Sequence, residues 1–202
     1  MKQSVLLQAQ GRLKLAERAF AAICAAGHDS IEFQTHWLDF LVQWKGTYTK
    51  VQRAAKETPQ EVQWFGDVNR ERRNDALLRY LFEARNDGEH GIDPSAVHMG
   101  PGFSFTTHGR VLQIRTHADG TLYLGPDGKP VALDDGKEVE HIDVEPAESY
   151  LVEVKEYDGK RMVPPPTSHL GNPMEPKPRI AAQLGLKWLR SLVATAVAMS
   201  EP

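Results

Sequence analysis

Residues 77–91 read Leu77-Leu78-Arg79-Tyr80-Leu81-Phe82-Glu83-Ala84-Arg85-Asn86-Asp87-Gly88-Glu89-His90-Gly91. They fall in a stretch whose apolar spacing predicts a helix from Asp67 to about Asp87, closed by Gly88 and Gly91. Asp75, Arg79 and Glu83 are spaced as a charge ladder along one face of it. With Leu77 set at zero and about 100° per residue, Leu81 falls near ~40°, Leu78 near ~100° and Phe82 near ~140°. Arg85 falls near ~80°, the centre of that apolar face. A guanidinium there is costly unless it is paired, snorkels past the helix end, or opens onto a cleft.

Two more helices are expected before this one. Leu6, Ala9, Leu13, Ala16, Phe20, Ile23 and Cys24 mark one face of residues 3–26. That placement makes Cys24 a core residue rather than a nucleophile. After a break at Gly27-His28-Asp29-Ser30, Phe33, Trp37, Phe40, Leu41, Trp44, Tyr48 and Val51 mark a strongly aromatic face suited to the centre of a bundle. Thr58-Pro59-Gln60-Glu61 has the form of a capping box with Pro at the first helical position, and Gly66-Asp67 is a point where the helix can restart. Near the C-terminus, Ala181, Leu184, Trp188, Leu189, Leu192, Val193 and Ala196 predict a helix over about 179–199.

Between these helices the periodicity changes to that of strands. Runs at 110–116, 121–124, 131–133, 140–144 and 150–157 are separated by turn residues, including His117-Ala118-Asp119-Gly120, Gly125-Pro126-Asp127-Gly128 and Asp158-Gly159. The reading is an α+β chain: a predominantly helical bundle over 1–95, an antiparallel β meander inserted over 96–166, and a linker with a returning C-terminal helix over 167–202.

The 202 residues carry 24 basic and 27 acidic side chains, a net charge of −3 that excludes a uniformly basic nucleic-acid coat. The charge is unevenly placed. Residues 1–95 hold 13 basic and 13 acidic side chains, whereas 96–160 hold 6 and 12. A single cysteine excludes a disulfide framework and a multi-thiolate zinc site. No apolar run suits a membrane span or a signal peptide, so a cytoplasmic protein is expected. His90, His98, His108, His117 and His141 lack an i, i+4 pair or a companion cysteine, so no metal site is expected. Nothing in the chain calls for a cofactor: there is no phosphate loop, dinucleotide fingerprint or nucleophile elbow. Arg70, Arg72, Arg73 and Arg79 are interrupted by Glu71 and Asp75 and read as a solvated helix face.

Arg85 and Asn86, followed by His90 after a three-residue gap, resemble the Arg-polar-x-x-x-His signature of the HEPN superfamily of small helical-bundle nucleases. The resemblance implies a metal-independent endoribonuclease that works as a homodimer, with two such motifs facing one cleft. It also implies a bacterial toxin–antitoxin or phage-defence setting, with an antitoxin as protein partner. A second segment, Val163-Pro164-Pro165-Pro166-Thr167-Ser168-His169-Leu170-Gly171, resembles the ending of bacterial proteins that pair it with a HEPN-like start. On residue chemistry alone, Ser168 or His169 anchors a turn as the chain leaves the sheet; the functional alternative places His169 in the same cleft as Arg85.

The residue types suit that chemistry. Metal-free RNA cleavage uses the substrate's 2′-OH as nucleophile and needs a base, an acid and a cation for the phosphorane charge. His90 can serve as acid or base near neutrality, and Arg85 can grip a phosphate with two donors. Asn86 can orient His90 or donate to the phosphate, while Glu83 or Glu89 can hold the imidazole or Arg85. The alternative is a non-catalytic interaction or regulatory protein that presents its acidic β region to a partner.

Overall fold

The computed structural model describes residues 1–26, 30–90, 94–99, 102–107, 110–116, 122–124, 141–145, 148–156 and 160–200. The side chains of Ser30, of 88–90 and of the strands between 102 and 145 lie outside that description, as do the turns expected at 117–120, 125–128 and 158–159 and the strand at 131–133. The architecture is mostly helical with small antiparallel strand pairs. α1 (Gln3–Ala25), α2 (Ser30–Ala54), α3 (Pro59–Asn74) and α4 (Ala76–His90) precede the strands, and α5 (Pro178–Ala198) follows them. No helix among the described residues is long and apolar enough to cross a membrane.

α2 forms the centre of the core. Phe33, Trp37, Phe40, Leu41, Trp44, Tyr48 and Val51 are all buried, as their spacing predicts. Trp44 stacks on Tyr48 and on Trp188 of α5, with ring centroids 6.4 and 5.7 Å apart. Its indole N–H donates to the Gly185 carbonyl at 2.9 Å, so α5 returns to the bundle directly over this ring. A Cβ at Gly185 would meet Leu81 Cδ1 at 2.4 Å and Trp44 Nε1 at 3.3 Å. Leu81 is fully buried and has little room to move. Overpacking costs about 1–3 kcal/mol, against about 1 kcal/mol gained by replacing glycine in a helix. Gly185→Ala should therefore lower stability by about 1 kcal/mol, read as a lower urea midpoint at unchanged m-value.

Two helical expectations need correction. The stretch 67–87 is not one helix, because α3 runs through Gly66 without interruption and stops at Asn74. Asp75 is extended (φ −80°, ψ 128°) and caps α4 by accepting the Leu78 N–H at 2.8 Å. Cys24 is exposed, because Ile23 takes the buried position on that turn. The Thr58 cap forms as its sequence predicts, with its hydroxyl accepting the Glu61 N–H.

The strands are β1 (Ala96–Met99), β2 (Gly102–Thr107), β3 (Arg110–Thr116), β4 (Leu122–Leu124), β5 (His141–Glu145), β6 (Glu148–Leu151), β7 (Val154–Lys155), β8 (Met162–Val163), β9 (Ser168–His169) and β10 (Asn172–Pro173). All described pairings are antiparallel. The main sheet has the order β4-β3-β2-β5, which corrects the simple meander: β5 returns to the far side of β2. The alternation of Phe103 and Phe105 marks β2, and the register sets Phe103 opposite Ile114 and Val144. β1 pairs with β6 where the chain leaves and rejoins the bundle.

This root is stitched to α4. The buried Tyr80 hydroxyl lies 2.7 Å from both the Ser95 and Val152 carbonyls, and the Val152 N–H donates to Ser95. Burial pushes the Tyr80 phenol far above its ordinary pKa, so it stays a neutral donor. Arg79 pairs with Glu156, and the Lys155 N–H donates to Asp87 at 3.0 Å. Arg79 and Asp75 therefore spend their charge on tertiary partners rather than on a ladder along the helix.

Candidate functional site

The Arg85–His90 motif occupies the last turns of α4. Arg85 is half-buried, as its place on the apolar face predicts, beside the buried Leu81 and Ala84. Asn86 is 7% exposed and held from two sides. Its amide nitrogen donates to Glu83 Oε2 at 3.0 Å, and its carbonyl oxygen accepts from the Lys45 ammonium of α2. With both ends of its amide engaged, Asn86 fixes the turn that carries Arg85. The backbone is helical through His90, but the side chains of Glu89 and His90 lie outside the described residues.

Sequence reasoning missed the cations that gather at this end. Lys45 Nζ lies 4.4 Å from the centroid of the Phe82 ring. The Arg72 guanidinium carbon lies 4.1 Å from the same centroid and 6.0 Å from that of Tyr48. Both are cation–π distances. Arg72 is 7% exposed, so the solvated face expected for its cluster does not hold at this position. Its Nη2 donates a long 3.4 Å bond to Asn69 Oδ1, which also accepts the Tyr48 hydroxyl at 3.1 Å. Its Nε is buried without a hydrogen-bond partner among the described residues. Burial raises the Tyr48 pKa, opposed by the neighbouring Arg72. The missed signal was spacing: Arg72 follows Phe65 by seven residues and so continues the buried stripe of α3.

His169 is not beside Arg85. Its Nδ1 lies 3.1 Å from Asp75 Oδ1, and the Leu170 N–H donates to Asp75 Oδ2 at 2.6 Å. Asp75 and Arg85 are ten residues apart on one helical path, about 15 Å along the axis. The turn-anchoring reading of His169 is the one observed, at the opposite end of α4 from the motif. Among the described residues, no group of three or more His, Cys, Asp or Glu side chains is placed to hold a metal ion.

No protein-family model matches the chain, and no curated protein or solved structure matches it.

Proposed function

We propose that the chain is a HEPN-like, metal-independent endoribonuclease, acting as a homodimer in a bacterial toxin or phage-defence system, with Arg85 and His90 at the reacting phosphate. The observation that carries this reading is the clamped turn at the end of α4. Lys45 and Glu83 hold Asn86 from opposite sides, which leaves Arg85 half-buried on a fixed backbone whose next residue binds a second cation. A cation held in place before substrate arrives stabilises developing phosphorane charge without reorganising. Pairing two chains supplies two imidazoles, one to take the 2′-OH proton and one to give a proton to the departing 5′-oxygen. Asn86 acts here by positioning Arg85, not by contacting the phosphate.

The purified protein should cleave RNA in the presence of EDTA and leave 2′,3′-cyclic phosphate ends. Protein that is inert towards a broad set of RNAs overturns the reading. A second reading draws on the root of the acidic region, where Glu156 and Lys155 are fastened to α4 at Arg79 and Asp87. In that reading the acidic region binds a basic partner beside the motif, and a basic protein co-purifies with a chain that lacks cleavage.

A further inference from the structure

A cleft of about 590 Å³ lies between α3, α5 and the β9–β10 hairpin. Its walls are Trp64 and Val68 from α3 and Leu184 and Trp188 from α5, and His169 and Lys187 also line it. The volume is that of a small-molecule site, and its apolar faces are joined by polar groups that can orient a ligand. The Trp188 indole is fixed from two sides: its N–H donates to Glu71 Oε1 at 2.5 Å and its ring stacks on Trp44.

The polar groups are also set in advance. His169 is 9% exposed, and its Nδ1 is committed to the buried Asp75 carboxylate. Lys187 is exposed on α5 and has no ion-pair or hydrogen-bond partner among the described residues. Beside His169, Leu170 has φ 47° and is half exposed. A left-handed leucine is unfavourable and persists only where its surroundings impose it. Here the Asp75 carboxylate imposes it through the Leu170 N–H, which keeps the hairpin against the cleft.

We propose that this cleft binds a small organic anion with a planar apolar body, such as an aromatic carboxylate. The ring packs against Trp64, Val68 and Leu184, and the anionic group takes donors from Lys187 and from the Ser191 hydroxyl one turn further along α5. Glu71 also lines the cleft, but one of its oxygens is occupied by the Trp188 indole, and two donors stand against this single carboxylate. The site lies at the opposite end of α4 from Arg85 and does not rest on the ribonuclease reading.

The test uses three naphthalene probes of the same size: 1-naphthoate, the neutral 1-naphthamide and the cationic 1-naphthylmethylammonium. Binding is measured by saturation-transfer NMR and by titration calorimetry. The naphthoate should bind the full chain with a Kd below about 1 mM, and the other two about tenfold more weakly. Lys187→Met should weaken naphthoate about fivefold and leave naphthamide unchanged. Leu184→Trp, which fills the cleft, should abolish binding of naphthoate at an unchanged melting temperature. The proposal is overturned if naphthoate shows no saturation transfer, if the neutral or cationic probe binds as well, or if Lys187→Met and Leu184→Trp bind naphthoate like wild type.

Discussion

Arg85→Ala and His90→Ala should each reduce RNA cleavage in EDTA by about 10²–10⁴-fold, the range expected for loss of general acid–base catalysis or of a main electrostatic donor. The two substitutions should differ in kind. Without His90, proton transfer to and from the 2′-OH and the 5′-oxygen falls to water. Without Arg85, the proton path remains and the phosphorane charge is less well compensated. Arg85→Lys retains charge but loses the two-pronged grip, so partial recovery is expected. A mixed dimer of one Arg85→Ala chain and one His90→Ala chain separates a shared cleft from two independent sites. Restoration of part of the activity on mixing supports residues contributed across the dimer. Wild-type cleavage rates in both single variants would remove the motif from the mechanism altogether. Neither change should unfold the chain, because Arg85 is only half-buried and the core beneath it is supplied by Leu77, Leu78, Leu81 and Ala84.

Asp75→Ala should lower stability by about 3 kcal/mol, which for a chain of this size is a fall of roughly 6–12 °C in Tm. One carboxylate accepts three bonds: the Leu78 N–H at 2.8 Å, the His169 ring at 3.1 Å and the Leu170 N–H at 2.6 Å. Its side chain is 6% exposed, so water does not readily replace it. Alanine removes the cap of α4 and releases the β9–β10 hairpin in one step. Asp75→Asn keeps an oxygen for the cap but sets an amide N–H against the Leu170 N–H or the imidazole, and should cost about half as much. Differential scanning calorimetry decides the matter: a shift below about 2 °C for Asp75→Ala would show that these bonds do not hold the two segments together.

Asp75 also shows where sequence reasoning stops. Nothing local marks it as a helix boundary, since neither glycine nor proline stands between Val68 and Gly88 and the apolar spacing continues across it. The break depends on a hairpin 95 residues further along the chain, whose Leu170 N–H completes the carboxylate's bonding. By contrast, the aromatic face of α2 and the returning face of α5 were legible, because each repeats one apolar position per turn over many turns. The Thr58 cap was legible because its bonds are local. Arg72 sat on a readable stripe, yet its charge argued for solvent, and only the packing of Phe82 and Tyr48 shows how it is buried. The strand order β4-β3-β2-β5 likewise depends on a long-range return that spacing does not encode. For the motif, sequence located Arg85 and Asn86 on the right helix, but Lys45 comes from another element and was invisible.

The Tyr80 hydroxyl touches both ends of the excursion that leaves the bundle after Ser95 and returns at Val152, and those two residues bond to each other. The two ends of the excursion thus meet at one place on the bundle, where β1 and β6 also pair. What lies beyond β1 and β6, whose Ala96, His98 and Leu151 are buried with the helices, can lengthen, shorten or change its charge over evolutionary time while the helices keep their packing. In such an arrangement the helical frame and the acidic region beyond it are free to diversify at different rates.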